Sequence, residues 1–189
     1  MSSGEHKIEA GKILIAEPFM LESTFTRSVI CLTDHSETEG TVGFILNKRL
    51  NVKLSELITD IKTEEKFNVY FGGPVATDTI HYIHNVGELL EESIKVAPGV
   101  YWGGNFDKLK FLINSELIKP NNIRFYLGYS GWSAGQLEDE LKTGSWVVSD
   151  GDPNYIFKSV SSLLWKQTLS NKGDRYSVIA QMSKDQSLN

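Results

Sequence analysis

Apolar residues along the chain fall into short runs, which are separated by polar segments containing glycine or proline. Three early runs, at 11–16, 28–34 and 41–46, predict strands because they are rich in β-branched residues and lack a helical period. The polar segment between the second and third runs ends in Gly40, so these two strands are expected to form an antiparallel hairpin. Because the runs do not alternate with polar residues, both faces of the strands should be buried.

The rest of the chain alternates between strand-like and helix-like patterns. Helices are predicted over Leu54–Ile61, after Asn105, over 133–141 and after Asp152-Pro153, where Asn105 and Asp152 are suitable N-caps. Asn51 or Ser55 is expected near the start of the first helix. Further strands are predicted at 67–71, 79–84, 99–102, 123–127 and 145–148, whereas 85–98 carries no clear pattern.

This order of elements indicates the α/β (α+β) class. We expect one domain over residues 1–189, with a mixed, largely antiparallel β-sheet flanked by helices and flexible ends at 1–10 and 183–189. A chain of 189 residues has the size of one domain, and the sequence shows no internal repeat.

Composition narrows the classes of function. The chain has 19 basic and 24 acidic residues, a formal net charge of −5, which argues against direct nucleic-acid binding. No apolar run reaches the roughly 18 residues of a membrane span, and the start lacks the apolar stretch of a secretory signal. Cys31 is the single cysteine and lies in an apolar run, so it is predicted to be a buried thiol in a cytoplasmic protein.

Three predicted strands end in glycine, at Gly72-Gly73, Gly103-Gly104 and Gly128. Glycine turns that lead into helices expose backbone N–H groups, which favour anions. One hypothesis is therefore a shared groove near Gly72, Gly104 and Gly131 for a small anionic ligand. The alternative is that these glycines permit tight turns and close packing. Nucleotide-binding fingerprints are absent.

The polar residues do not form a complete catalytic set in the sequence. Ser28 and His35 are seven positions apart, which is roughly 23 Å along a strand with opposite facings, so a direct dyad is not expected. His35 is predicted to be a hydrogen-bonded residue at a strand end. His81 and His84 face opposite sides of a strand without acidic or cysteine ligands at suitable spacing, so neither a metal nor a cofactor is predicted.

The segment after Gly131 contributes the last candidates. Gln136, Glu138, Asp139 and Glu140 follow the turn GYSGWSAG, and the first turns of a helix favour negative charge at Glu138 and Asp139. The four tryptophans are predicted to be mostly core residues. Trp132 lies in a glycine-bounded loop and is the best candidate for a surface anchor.

Several stretches together resemble the AlgH/YqgE family of bacterial proteins. These are GKILIAEPFML, FTRSVICLTDH, GFILNK, VYFGGPV and YLGYSGWSAGQLEDEL with the trailing Trp146. The chain departs from the family pattern in two places: Ser23-Thr24 stands for Asp-Pro, and Asn105 stands for an aspartate. If that aspartate bound a metal or acted as an acid, Asn105 could not replace it.

The resemblance implies a bacterial, cytosolic protein with a compact α/β fold and the label of transcriptional regulator, but no defined biochemical activity. The positions that match the family pattern, and so form a candidate binding set, are Arg27, Ser28, His35, Asn47, Gly72, Gly73, Pro74, His84, Gly128, Gly131, Trp132, Gln136 and Glu138.

The leading hypothesis is a small ligand- or protein-binding, regulatory domain without defined catalytic activity, because no catalytic constellation is complete. A second hypothesis is an enzyme whose site combines Arg27, His35 and Glu138 after folding. A third is direct transcriptional regulation, which the missing helix–turn–helix pattern and the acidic charge oppose.

Overall fold

The computed structural model describes residues 7–182, which form ten strands and six helices. The strands are β1 (Ile13–Ala16), β2 (Val29–Ser36), β3 (Gly40–Ile45), β4 (Arg49–Leu50), β5 (Val69–Phe71), β6 (Val75–His84), β7 (Ile94–Ala97), β8 (Val100–Trp102), β9 (Ile123–Trp132) and β10 (Trp146–Ser149). The helices are α1 (Leu54–Leu57), α2 (Phe106–Asn114), α3 (Gln136–Lys142), α4 (Pro153–Phe157), α5 (Ser161–Ser170) and α6 (Asp174–Ala180). Of the flexible ends predicted at 1–10 and 183–189, residues 1–6 and 183–189 lie outside the described residues.

The strands form one mixed sheet in the order β10-β1-β2-β3-β9-β6-β8-β7, while β5 joins β9 to the short β4. Only the β5–β9 pair is parallel among the strand pairs of residues 7–182. The fold class is therefore confirmed as a largely antiparallel sheet flanked by helices. The predicted β2–β3 hairpin is also confirmed, with Ser36 paired to Gly40.

The central strands are buried on both faces, as their unbroken apolar runs predict. Along β1, Ile13 and Ile15 belong to the same cluster as Trp165 of α5, whereas Leu14 belongs to the cluster of Trp132 on the other face. This follows from the alternation of side chains along a strand. Cys31 is likewise buried, and loss of hydration raises the pKa of its thiol to about 12. The thiol is therefore a small core group, as predicted.

The chain crosses β9 between β5 and β6, because these two strands pair with opposite edges of β9. The crossing segment is Gly72-Gly73-Pro74. A Cβ atom on Gly128 would lie 2.4 Å from the carbonyl oxygen of Gly73, and one on Gly72 would lie 2.4 Å from the carbonyl oxygen of Gly128. The prediction that a strand ends at Gly128 is therefore wrong. Gly128 is a crossing point inside β9, which continues to Trp132.

Local sequence signals indicated some helix boundaries and missed others. Asn105 and Asp152 are N-caps as predicted, each accepting a hydrogen bond from a backbone N–H of its helix. The helix predicted over Leu54–Ile61 has Lys53 as its N-cap residue. It ends at Leu57, because the backbone of Ile58 is extended, although the Ile58 side chain is still buried. Residues 85–98, which carried no pattern, contain the edge strand β7. In the described part of the chain, no helix has the length and apolar character to cross a membrane.

The crossing predicts a sharp difference between two glycines of β9. Gly128→Ala should lower the free energy of unfolding by about 2–4 kcal/mol, because the backbone has φ +67° and the new methyl group would clash with backbone oxygens. Gly131→Ala is the matched control, since its nearest neighbour is a Tyr129 ring atom at 3.3 Å, and it should stay within about 1 kcal/mol of wild type. Urea denaturation measures both, and equal losses would contradict the crossing as the cause.

Candidate functional site

A cleft of about 490 Å³ opens between the loop after β1, the end of β9, α3 and the start of β10. We call it the Trp132–Trp146 cleft. Its apolar lining includes Phe19, Met20 and Phe25 together with the two tryptophans. Its polar lining consists of Glu17, Glu22, Gln136, Glu140 and Ser145.

Glu140 is held in this cleft by three hydrogen bonds. Its Oε2 accepts the indole N–H groups of Trp132 at 2.9 Å and of Trp146 at 2.8 Å. Its Oε1 accepts an N–H of Gln136 at 3.0 Å. A carboxylate with three donors around it is fixed in orientation, and two largely buried indole N–H groups are satisfied by one residue.

The helix α3 supplies this carboxylate because of its register. The helix begins after Gly135, which has φ +80°, and the backbone N–H of Ser133 donates to Gln136 Oε1 at 3.0 Å. Leu137 is completely buried and sets the inward face of the helix. Gln136 and Glu140 are four residues apart and therefore share one face beside the tryptophans.

The aromatic rings meet edge to face. The ring centres of Trp132 and Trp146 are 6.0 Å apart, and those of Phe25 and Trp146 are 5.6 Å apart. Trp132 is only 5% exposed, so its predicted role as a surface anchor is wrong: its indole lies in the core cluster of Leu137 and its N–H is taken by Glu140. The exposed apolar residues at the cleft are Phe19 and Leu21 instead, at 52% and 91% exposure.

The predicted residues Arg27, Ser28 and Asn47 lie together behind the cleft wall. Asn47 donates to the carbonyl oxygen of Arg27 and accepts the N–H of Val29, both at 2.9 Å. Ser28 is buried, and its hydroxyl donates to the carbonyl oxygen of Phe25 at 2.7 Å. These bonds fix the backbone next to Phe25, so the three residues support the wall rather than line the cleft.

Arg27 also connects this wall to the C-terminal helices. Its guanidinium carbon lies 4.6 Å from the ring centre of Trp165, and an N–H donates to the carbonyl oxygen of Met182 at 3.2 Å. The Arg27 side chain therefore packs on an aromatic ring and binds a backbone carbonyl group.

The structure does not bring Arg27, His35 and Glu138 into one catalytic site. Arg27 lies two residues before β2, whereas His35 is near the far end of this strand, and the stretch of β2 from Val29 to His35 alone spans roughly 20 Å. His35 Nδ1 is 2.8 Å from Thr41 Oγ1, which confirms a hydrogen-bonded residue near a strand end. Glu138 lies on α3 and is absent from the lining of the Trp132–Trp146 cleft. Glu140, which the sequence analysis named among the acidic residues of this segment but not in the candidate binding set, is the carboxylate that this helix places in the cleft.

The glycine turns also do not share a groove, which corrects the expected anion site. Gly131 lines the Trp132–Trp146 cleft, whereas Gly104 lines a separate cleft of about 280 Å³ beside His81 and Tyr82. Gly72 and Gly73 are buried against β9. Close backbone packing is the reason that Gly72, Gly73 and Gly128 are glycines. The exposed Pro74 belongs to the same crossing segment.

His84 is buried near the second cleft as a neutral ring. Its Nε2–H donates to the carbonyl oxygen of Gly103 at 2.8 Å, and its Nδ1 accepts the N–H of Val86 at 3.3 Å. Burial lowers the pKa of His84, partly offset by the bond to Gly103. Burial also lowers the pKa of His81. Within residues 7–182, no group of three or more His, Cys, Asp or Glu side chains is arranged to hold a metal ion.

Comparison with known sequences places these features in a family. A family model described as AlgH-like matches residues 13–177. A UPF0301 protein of Chlorobium chlorochromatii is 43% identical over 174 residues, covering 92% of each chain. A UPF0301 protein of Bacteroides thetaiotaomicron is 42% identical over 166 residues, covering 88% of this chain and 84% of the relative.

Solved structures share the fold. A crystal structure of a Corynebacterium diphtheriae protein has a TM-score of 0.77 and 22% identity, with 96% of each chain covered. The solution structure of the AlgH protein from Pseudomonas aeruginosa has a TM-score of 0.71 and 27% identity, covering 92% of this chain and 93% of that one.

The shared carboxylate predicts a stability difference between two glutamates of α3. Glu140→Ala should lower the free energy of unfolding by about 1–3 kcal/mol, because two indole N–H groups lose their acceptor. Glu138→Ala is the control on the same helix and should change it by less than about 0.5 kcal/mol. Chemical denaturation followed by tryptophan fluorescence checks this, and a smaller loss for Glu140→Ala than for the control would contradict the assignment.

The buried histidines predict a pH dependence. Because the pKa of His84 is lowered in the folded state, the unfolded chain binds more protons than the folded chain at pH values between the folded pKa and the unfolded pKa of 6.5. The free energy of unfolding therefore falls as the pH drops from 6.5 towards the folded pKa. His84→Gln should reduce that fall while retaining a donor for Gly103. Denaturation at a series of pH values between about 7.5 and 5 tests this. An unchanged difference between neutral and acidic stability would show that His84 does not titrate on unfolding.

Proposed function

The chain belongs to the AlgH-like family, and we propose that it is a binding domain whose Trp132–Trp146 cleft receives a small ligand or a segment of a partner protein. The observation that carries the proposal is the fixed carboxylate of Glu140 between two indole rings in this cleft. The cleft volume of about 490 Å³ falls within the range of roughly 300–1,000 Å³ that ligand sites occupy. Its lining combines aromatic rings with a few oriented polar groups, and ligand sites use both kinds of group.

Binding is favoured over catalysis by how the polar groups of the cleft are used. Glu140 accepts three hydrogen bonds from neighbouring side chains, so its carboxylate serves to satisfy these donors. The hydroxyl of Ser145 lies 3.2 Å from that of Thr143, and no side chain of residues 7–182 is hydrogen-bonded to it as an activating base. The described residues of the cleft therefore offer recognition groups without a nucleophile and its base.

We propose a regulatory role for the same cleft. Occupation of the cleft would change which partner the domain contacts, without a chemical step. We place this role in the cytoplasm, where the single buried thiol of Cys31 would stay reduced. The carboxylates of the cleft disfavour phosphate groups, so regulation through a ligand or protein partner is preferred over direct contact with DNA.

Nuclear magnetic resonance tests the proposal directly, since each of the four tryptophans gives one indole N–H signal. Compounds from a fragment library of small amines, amides and aromatic rings should shift the Trp132 and Trp146 signals selectively. The Trp102 and Trp165 signals serve as internal controls, and single Trp→Phe variants assign all four. If no compound moves the Trp132 or Trp146 signal, or if binders move only Trp102 beside the second cleft, the proposed site is wrong.

A further inference from the structure

We propose that the occupant of the Trp132–Trp146 cleft is a basic segment of a partner protein that inserts an arginine side chain. This inference rests on the proposed function and names the chemistry of its ligand. It starts from the sign of the charge in the cleft. Glu17, Glu22 and Glu140 contribute carboxylates to the lining, and no lysine, arginine or histidine of residues 7–182 lines the cleft.

The hydrogen-bond donors to these carboxylates are neutral: Glu140 accepts from two indoles and an amide, and Glu17 Oε2 accepts the backbone N–H of Phe19 at 3.0 Å. Among the ion pairs formed by residues 7–182, none includes Glu17, Glu22 or Glu140. Three like charges around a partly apolar cleft create a negative potential, which attracts a cation and repels an anion. The small anionic ligand expected from the glycine turns therefore does not fit this cleft.

The aromatic lining favours guanidinium over a compact ammonium group. The ring surface available in the lining comes mainly from Phe19 and the half-buried Phe25, since the two tryptophans are each only 5% exposed. A planar guanidinium stacks on such rings while it binds a carboxylate. The same chain stacks a guanidinium on a ring elsewhere, where Arg27 lies over Trp165 and donates to the backbone carbonyl of Met182. An inserted arginine could contact both kinds of group in the cleft.

The shape of the surface favours a peptide over a compact metabolite. A shallow depression of about 430 Å³ adjoins the cleft along α3 and shares Gln136 and Glu140 with it. This depression adds Asp139, whose carboxylate pairs with the exposed Lys142 at 3.4 Å, and within the described part of the chain no basic residue belongs to its lining. The exposed side chains of Phe19 and Leu21 lie at the other side of the cleft, where they can contact apolar residues next to the arginine.

Three matched peptides test the charge requirement on the full-length protein. The probe is acetyl-Ser-Leu-Arg-Leu-Ser-amide, and its two controls carry citrulline or glutamate in place of arginine. Citrulline keeps the shape of arginine and removes its charge. The arginine peptide should shift the Trp132 and Trp146 indole signals with an affinity at least about fivefold higher than the citrulline peptide, and the glutamate peptide should not bind.

Two further measurements separate charge from packing. Glu22→Gln should weaken the arginine peptide by about two- to fivefold and leave citrulline binding unchanged, whereas Glu138→Gln, outside the cleft lining, should alter neither. Raising the salt concentration from about 50 to 500 mM should weaken only the arginine peptide. Both results together would support an arginine seated among the carboxylates.

Contrary results would have different meanings. If citrulline or glutamate peptides bind as tightly as the arginine peptide, the cationic occupant is wrong while the binding cleft remains. The cationic occupant is also wrong if neutral fragments shift the Trp132 and Trp146 signals and no peptide does. If those signals move with protein concentration alone and sedimentation shows a dimer, the occupant is a second copy of this chain, and the proposal is overturned. If no compound of any kind moves them, the binding function itself fails.

Discussion

The backbone crossing at Gly128 is the constraint on which the architecture of the cleft depends. β5 and β6 flank β9 on opposite edges, and the chain between them passes β9 at a distance that excludes a Cβ atom. Because the crossing does not end β9, the strand continues and pairs with β3 through Trp132. Trp132 is thereby brought to the place where α3 begins, and Glu140 can reach its indole. A backbone contact in the centre of the sheet thus positions a side-chain cluster at its surface.

Much of the fold could be predicted because the signals are local. The apolar runs of β1, β2 and β3, the hairpin at Gly40 and the cap residues Asn105 and Asp152 each involve a few neighbouring residues. The glycines were ambiguous for a physical reason. The absence of a Cβ atom suits both a loop that binds an anion and a strand that another backbone segment crosses. Only the path of the chain in three dimensions distinguishes these two roles of glycine.

The candidate site was predicted only in part. Gly131, Trp132 and Gln136 line the cleft as members of the predicted set, whereas Glu140 and Trp146 complete it from positions outside that set. Trp146 and Glu140 are only six residues apart, but Trp146 is held in place by the pairing of β10 with β1, far away in the sequence, which residue patterns near Glu140 do not reveal. By contrast, the expectation that Ser28 and His35 form no direct dyad agrees with their observed partners, which are the Phe25 carbonyl and the Thr41 hydroxyl. The expected opposite facings assumed a regular strand, whereas β2 is irregular between Leu32 and Asp34.

The two departures from the family pattern also have a structural interpretation. Asn105 caps α2 by accepting the N–H of Lys108 at 3.0 Å, a bond that an aspartate side chain could accept equally well. At Ser23-Thr24, both backbone carbonyl oxygens accept hydrogen bonds from the Lys48 ammonium group, which any residue pair could offer.

Lys48 and Asn47 therefore hold the loop of the cleft wall mainly through its backbone, while the side chains of Phe19 and Leu21 stay exposed. A wall fixed by its backbone leaves its side chains free to vary. In the proposed complex, the exposed Phe19 and Leu21 would contact the residues that flank the arginine, while the carboxylate of Glu140 and its two indoles keep the same geometry.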